Sequence, residues 1–114
     1  MSAVQEHPQC LFLPYFNGPG YDLDPIRVVL YDYGGGRGAM LVVECFGDAY
    51  SHYWGAMGDH RNIRRFVCEC GEDYLVNKLM PGYLYGTRLE KKREVHFRRI
   101  VKRVRDALIA EAAA

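Results

Sequence analysis

Thiols, imidazoles and carboxylates are the groups that attack carbonyls, shuttle protons and hold metals, and this chain of 114 residues has four cysteines, four histidines and fourteen acids to offer. Their spacing supports little of that chemistry. Cys68-x-Cys70 has one residue between its thiols, where redox and zinc knuckles use two, and no second Cys-x-x-Cys or His-x-x-x-His follows. A zinc site from Cys45, Cys68, Cys70 and His52 or His60 needs the fold to bring these residues together. On a helix Cys68 and Cys70 stand about 200° apart, which predicts one buried thiol and one exposed. Cys45, Asp48 and His52 have the types of a nucleophile, an orienter and a base. Read along one strand, however, positions 45 and 52 face opposite ways, and no oxyanion hole is identifiable. Asp59-His60-Arg61 stands at a predicted helix start, where capping accounts for Asp59. No catalytic residue, metal ligand or cofactor is assigned.

The glycine run Gly34-Gly35-Gly36-Arg37-Gly38 has the composition of a phosphate cradle. It lacks the following lysine and hydroxyl residue, and it precedes a strand, so the nucleotide-binding fingerprints fail. A hairpin turn with Arg37 at its tip as a contact residue fits better.

Binding chemistry is better represented. Residues 88–111 hold nine basic groups against four acids, a net of +5, while the rest of the chain holds six against ten, a net of −4; together they give the overall +1. At about 100° per residue, Arg98, Lys102 and Arg105 fall on one flank of a helix, and Lys92, Arg99 and Arg103 on the other. Such a surface suits phosphates or an acidic protein, or simply water. The chain also has nine tyrosines, five phenylalanines and one tryptophan. Trp54 reads as core, whereas Tyr83 and Tyr85, in a loop after Pro81-Gly82, are binding candidates because tyrosine gives contact area with a polar handle.

The elements that must position these residues form an α+β domain. β-branched and aromatic content predicts an antiparallel three-stranded sheet over about 26–33, 39–47 and 49–54. Val28, Leu30 and Asp32 share one face of the first strand, and Arg27, Val29, Tyr31 and Tyr33 the other. Leu41-Val42-Val43 is apolar on both sides, which suggests a central strand. Tyr50, His52 and Trp54 face one way, Ser51 and Tyr53 the other. Ile63, Phe66, Val67 and Cys70 keep helical spacing, so a helix is expected over 62–70, capped by Asp59 or Asn62; a second covers 72–80. Thr87-Arg88-Leu89-Glu90 has the form of a capping box that opens a long basic helix over 88–112, with Phe97, Ile100, Val101, Val104 and Leu108 as its apolar stripe. Residues 1–25 hold four prolines and read as an irregular arm, part of it expected to lie across the core, with a short edge strand as one form it could take. At this length and with 49% hydrophobic residues, one core over residues 1–114 is expected. Neither a basic leader with an apolar run nor a membrane-length apolar stretch is visible, so the expected compartment is the cytoplasm, with reduced thiols.

Glu44–Gly58 (ECFGDAYSHYWGAMG), followed by Arg65-Phe66-Val67 and Asp73-Tyr74-Leu75, resembles a family of small proteins encoded by bacteriophages and prophages. Those proteins carry a similar ECxGxAxxxYWGAMG run and then a DYLxxxL run. The resemblance spans residues 26–80 and carries over no catalytic residues. It implies a phage accessory gene expressed in the host bacterial cytoplasm. The leading expectation is a non-enzymatic phage or mobile-element protein that binds and modulates or inhibits a host protein or nucleoprotein, a CRISPR-type defence complex being one concrete form. The alternative is a DNA- or RNA-binding module that acts through the basic helix, and a zinc- or thiol-dependent enzyme comes third. A homodimer, pairing the −4 body of one copy with the +5 helix of another, is compatible with each.

Overall fold

The computed structural model describes residues 3, 8–34, 37–57, 62–80 and 88–113. Its main sheet has four antiparallel strands in the order β1 (Gln9–Leu13), β4 (Ile26–Asp32), β5 (Ala39–Cys45) and β6 (Asp48–Trp54). A two-stranded ribbon, β2 (Phe16–Asn17) and β3 (Asp22–Leu23), follows β1 in the chain. Three helices complete the fold: α1 (Ile63–Glu69), α2 (Glu72–Leu79) and α3 (Arg88–Ala113).

The α+β class and the antiparallel sheet are as expected, but the sheet has four strands where the sequence predicts three: β1 is the short edge strand that the arm could form, and the arm is less irregular than its prolines suggest. Pro8 and Pro14 bracket β1 instead of interrupting it, and Pro25 immediately precedes β4. A proline outside the paired residues costs the ladder no donor. Gln9 to Leu13 therefore pair with Leu30 to Ile26 over five residues. The ribbon closes through a bond from the Gly18 N–H to the Tyr21 carbonyl of 3.1 Å. Leu13 and Leu23 both enter the core.

Alternation decides which side of the sheet is covered. Ile26, Val28 and Leu30 of β4 are buried, as are Ala39, Leu41, Val43 and Cys45 of β5. Their neighbours Val29, Met40 and Val42 are only half-buried. β5 is central, as its apolar run predicts, yet among the described residues only one of its faces is packed. Asp32 continues the inward row at the end of β4, where its carboxylate accepts the Ile63 N–H at 2.8 Å. That donor belongs to the first turn of α1 and has no partner within the helix.

The β5–β6 connection is a two-residue turn, so the strands stop at Cys45 and restart at Asp48 rather than running through Phe46 and Gly47. Phe46 (φ 59) and Gly47 (φ 86) both have positive φ, the geometry whose twist matches that of the flanking strands. Among the described residues Phe46 is the one non-glycine with positive φ. Gly38 is needed for a different reason: a Cβ there would collide with the Trp54 carbonyl oxygen.

Asn62 caps α1, its side-chain oxygen accepting the Arg65 N–H at 2.8 Å. The alternative cap, Asp59, and the Thr87 capping box lie outside the described residues. α1 stops one residue earlier than expected, because Cys70 is extended at ψ 145 and Gly71 already serves as the N-cap of α2. In α3 every residue of the predicted stripe is buried: Phe97, Ile100, Val101, Val104 and Leu108. These meet Leu75 and Leu79 of α2, Val67 of α1 and the inward residues of β4 and β5 in one cluster. Because Leu108 is fully enclosed there, Leu108→Ala should lower the unfolding free energy by about 2–5 kcal/mol, measured by urea denaturation.

Candidate binding surfaces

The stripe fixes where the cations of α3 point. Arg98 bonds Asp73 at the start of α2, with Glu94 at 3.3 Å and Glu72 at 3.9 Å beside it. Arg105 donates from Nε to the Cys70 carbonyl at 2.8 Å and from Nη2 to the Cys68 carbonyl at 3.2 Å. It thus serves the last carbonyls of α1, whose own last turn carries no basic residue. Lys102 pairs with Asp106 one turn on. On the other flank Arg99 lies 4.4 Å from the Tyr21 ring centroid and Arg103 lies 5.3 Å from that of Phe16, so both clamp the β2–β3 ribbon. The predicted division into two flanks is the one seen, but the flanks grip neighbouring elements. Lys92, with Lys91 and Arg93, lies on the exposed first turns of the helix.

Arg37 is exposed and turns back on its own hairpin, donating to the Gly34 carbonyl at 3.2 Å and the Tyr33 carbonyl at 2.8 Å. Tyr83 and Tyr85 lie outside the described residues.

Cys45 and His52 do not face opposite ways. The turn at Phe46-Gly47 places them on two strands, with Cys45 opposite Asp48 and His52 opposite Leu41, so both project from the helix-covered face. They are nonetheless four register rows apart along β5, which is too far for one to deprotonate the other. Burial pushes the Cys45 thiol up, and the nearby Asp24, Glu44 and Asp48 carboxylates add to this. Cys68 and Cys70 are both half-buried, not one in and one out, because Cys70 has left the helical path. Burial raises both of these thiols, opposed by the Arg105 guanidinium. None is a primed nucleophile. Among the described residues no three His, Cys, Asp or Glu side chains gather closely enough to hold a metal ion. Trp54 is core, as expected: its indole N–H donates to the Tyr74 hydroxyl at 2.9 Å and its ring meets Phe66 edge-on. A core cavity lined by Leu41, Val43, Val67, Leu75, Leu79, Val101 and Val104 measures only about 10 Å³, no more than one water needs.

The opposite face of the sheet holds the surface that sequence reasoning missed. Val29, Tyr31, Tyr33, Met40, Val42 and Tyr53 project from it. The Tyr31 and Tyr33 rings are 4.7 Å apart, and Tyr33 and Tyr53 are 5.6 Å apart, both pairs edge-on. The Tyr53 hydroxyl donates to the Arg37 carbonyl, which holds the ring in place while half of the residue stays exposed (50%). Phe12, 57% exposed, extends this face across β1, with Arg27 5.2 Å above its ring. The buried residues of the helices and the ribbon belong to the cluster on the other side. The signal was present as apolar residues on both sides of β5, which equally suits a strand buried on both faces. For the Arg105 cap the sequence has no local signal at all.

Three consequences can be measured. Arg105→Met should cost about 1.5–3 kcal/mol of stability, as for hydrogen bonds from a charged donor, while Lys92→Met should stay within about 0.5 kcal/mol. In the folded protein a maleimide should label exposed Cys10 first and buried Cys45 only on unfolding, as mass spectrometry of timed samples would reveal. Burial, then Lys78, holds the His52 imidazole below its ordinary range. The folded state then favours neutral His52, so its contribution is present above about pH 6.5 and is lost on acidification. His52→Gln should flatten the fall in melting temperature below that pH.

A family model described as a phage family matches residues 6–112, nearly the whole chain. No curated protein and no solved structure matches.

Proposed function

The chain belongs to the phiTE_072 phage family, and from that premise we propose a non-catalytic phage accessory protein that binds a protein of its bacterial host through the uncovered face of the sheet. The observation that carries this reading is the set of tyrosines 31, 33 and 53 with Met40 and Val42 on one rigid strand surface. Tyrosine and methionine are enriched where proteins meet, and charge is depleted at the centre of such contacts. Rings braced against each other on paired strands lose little freedom on docking, so more of their burial appears as affinity. A module of this kind acts by occupying a surface of its target, and modulation or inhibition of a host defence complex is the outcome it suits.

The alternative, nucleic-acid binding through α3, draws less support from the same contacts. Phosphate affinity grows with the number of cations brought to the backbone. From Arg98 to Arg105 the cations of α3 already serve Asp73, the α1 carbonyls, Asp106 and the ribbon's rings.

The test is affinity capture from nuclease-treated host lysate with the wild-type chain and with Met40→Lys combined with Val42→Lys. A stoichiometric protein partner that the wild type retains and the double variant loses, at unchanged melting temperature, is the expected result. Capture of nucleic acid alone, or of a partner indifferent to the two lysines, would overturn the reading.

A further inference from the structure

Phe46 breaks two rules at once. It is a β-carbon residue in left-handed conformation (φ 59), a site where asparagine, aspartate or glycine is the unstrained choice. It is also 82% exposed, the most exposed large apolar side chain among the described residues. Neither its own turn nor the core gains from a phenyl ring there. The turn fixes the backbone there, but not the choice of phenylalanine, and strained residues of this kind cluster where a ligand or partner uses them. Three acidic residues stand around the base of the hairpin: Glu44 and Asp48 flank the turn in β5 and β6, and the Asp24 carbonyl lies 3.9 Å from the Cys45 Sγ. Among the described carboxylates Arg27 pairs with Glu44, at 3.9 Å. The hairpin tip is thus an aromatic knob with an acidic collar.

Its complement is on the same chain. The exposed turns of α3 ahead of Phe97 carry Lys91, Lys92 and Arg93 beside Val95, an apolar residue 52% exposed. Phe97 itself packs on Tyr50, ring centroids 4.4 Å apart, two residues beyond Asp48 in β6. The basic turns and the acidic hairpin therefore lie at one end of the molecule. Within one chain the Phe46 ring does not rest on these turns, since it is exposed.

We propose that a second copy of this chain is the occupant: the protein forms a two-fold dimer in which the Phe46 hairpin of each protomer docks on the Lys91–Val95 turns of the other. Because both surfaces sit at one end, one rotation makes both contacts and closes the pair, so no filament grows. The phenyl rings cover Val95, and the collars meet lysine and arginine. This inference is independent of the sheet-face reading, and the two are separable because they use different residues.

Sedimentation equilibrium over about a hundredfold concentration range gives the mass and its concentration dependence. The wild type should fit a monomer–dimer equilibrium. Phe46→Asn removes the knob and installs a residue suited to the turn, so it should melt no lower than the wild-type monomer while the dimer dissociation constant rises about a hundredfold or more. Two charge-reversed chains sharpen the test, one with Asp48→Lys and Glu44→Lys, the other with Lys91→Glu and Lys92→Glu. Each alone should be monomeric, and an equimolar mixture should form the heterodimer, because both contacts are then complementary again. A wild-type chain monomeric throughout, a dimer indifferent to Phe46→Asn, or reversed chains that do not recombine would each overturn the proposal.

Discussion

Every buried side chain of the sheet projects from one face, and what covers that face is the apolar stripe of α3 together with α1 and α2. Among the described residues no second layer covers the other face of the four-stranded sheet, so within them its packing rests on this interface. Burial of Phe97, Ile100, Val101, Val104 and Leu108 holds α3 in one rotation about its axis. Once that rotation is set, the helix's cations have no choice of direction. Arg98 and Arg105 meet the ends of α2 and α1, while Arg99 and Arg103 meet the ribbon. The helix is basic largely because it is the hub to which four other elements attach.

This view changes the meaning of the chain's charge division. A helix of net +5 beside a body of net −4 looks, in one dimension, like a cationic surface awaiting a polyanion. In three dimensions much of the attraction is satisfied within the molecule, while Lys91, Lys92 and Arg93 in the first turns of α3 stay exposed. The surfaces proposed for binding move accordingly, from the length of the helix to one end of it and to the opposite side of the sheet.

The regular elements were legible where one physical pattern dominates. The stripe of α3, the Asn62 cap and the alternation in β4 follow from periods of 3.6 and 2 that side-chain burial enforces. What was not legible depends on partners distant in the chain. An edge strand in the arm was conceivable, but the bounds of β1 were obscured because proline counts blur the distinction between bracketing a strand and breaking it. The pairing of Cys45 and His52 on one face required knowing that the turn takes two residues. Arg105 finds its carbonyls 35 and 37 residues upstream, and no spacing rule reaches that far. The tyrosine face was hidden by an ambiguity of composition: apolar residues on both sides of a strand mean two covered faces or one face kept for something else.

The Arg105 contact also bears on how α1 is held. α1 is a helix of seven residues, too short to persist in water unaided. The guanidinium that completes its end comes from α3, 35 and 37 residues away in the chain. The end of α1 is therefore only as ordered as the docking of α3 makes it, and a short helix borrows its permanence from a long one.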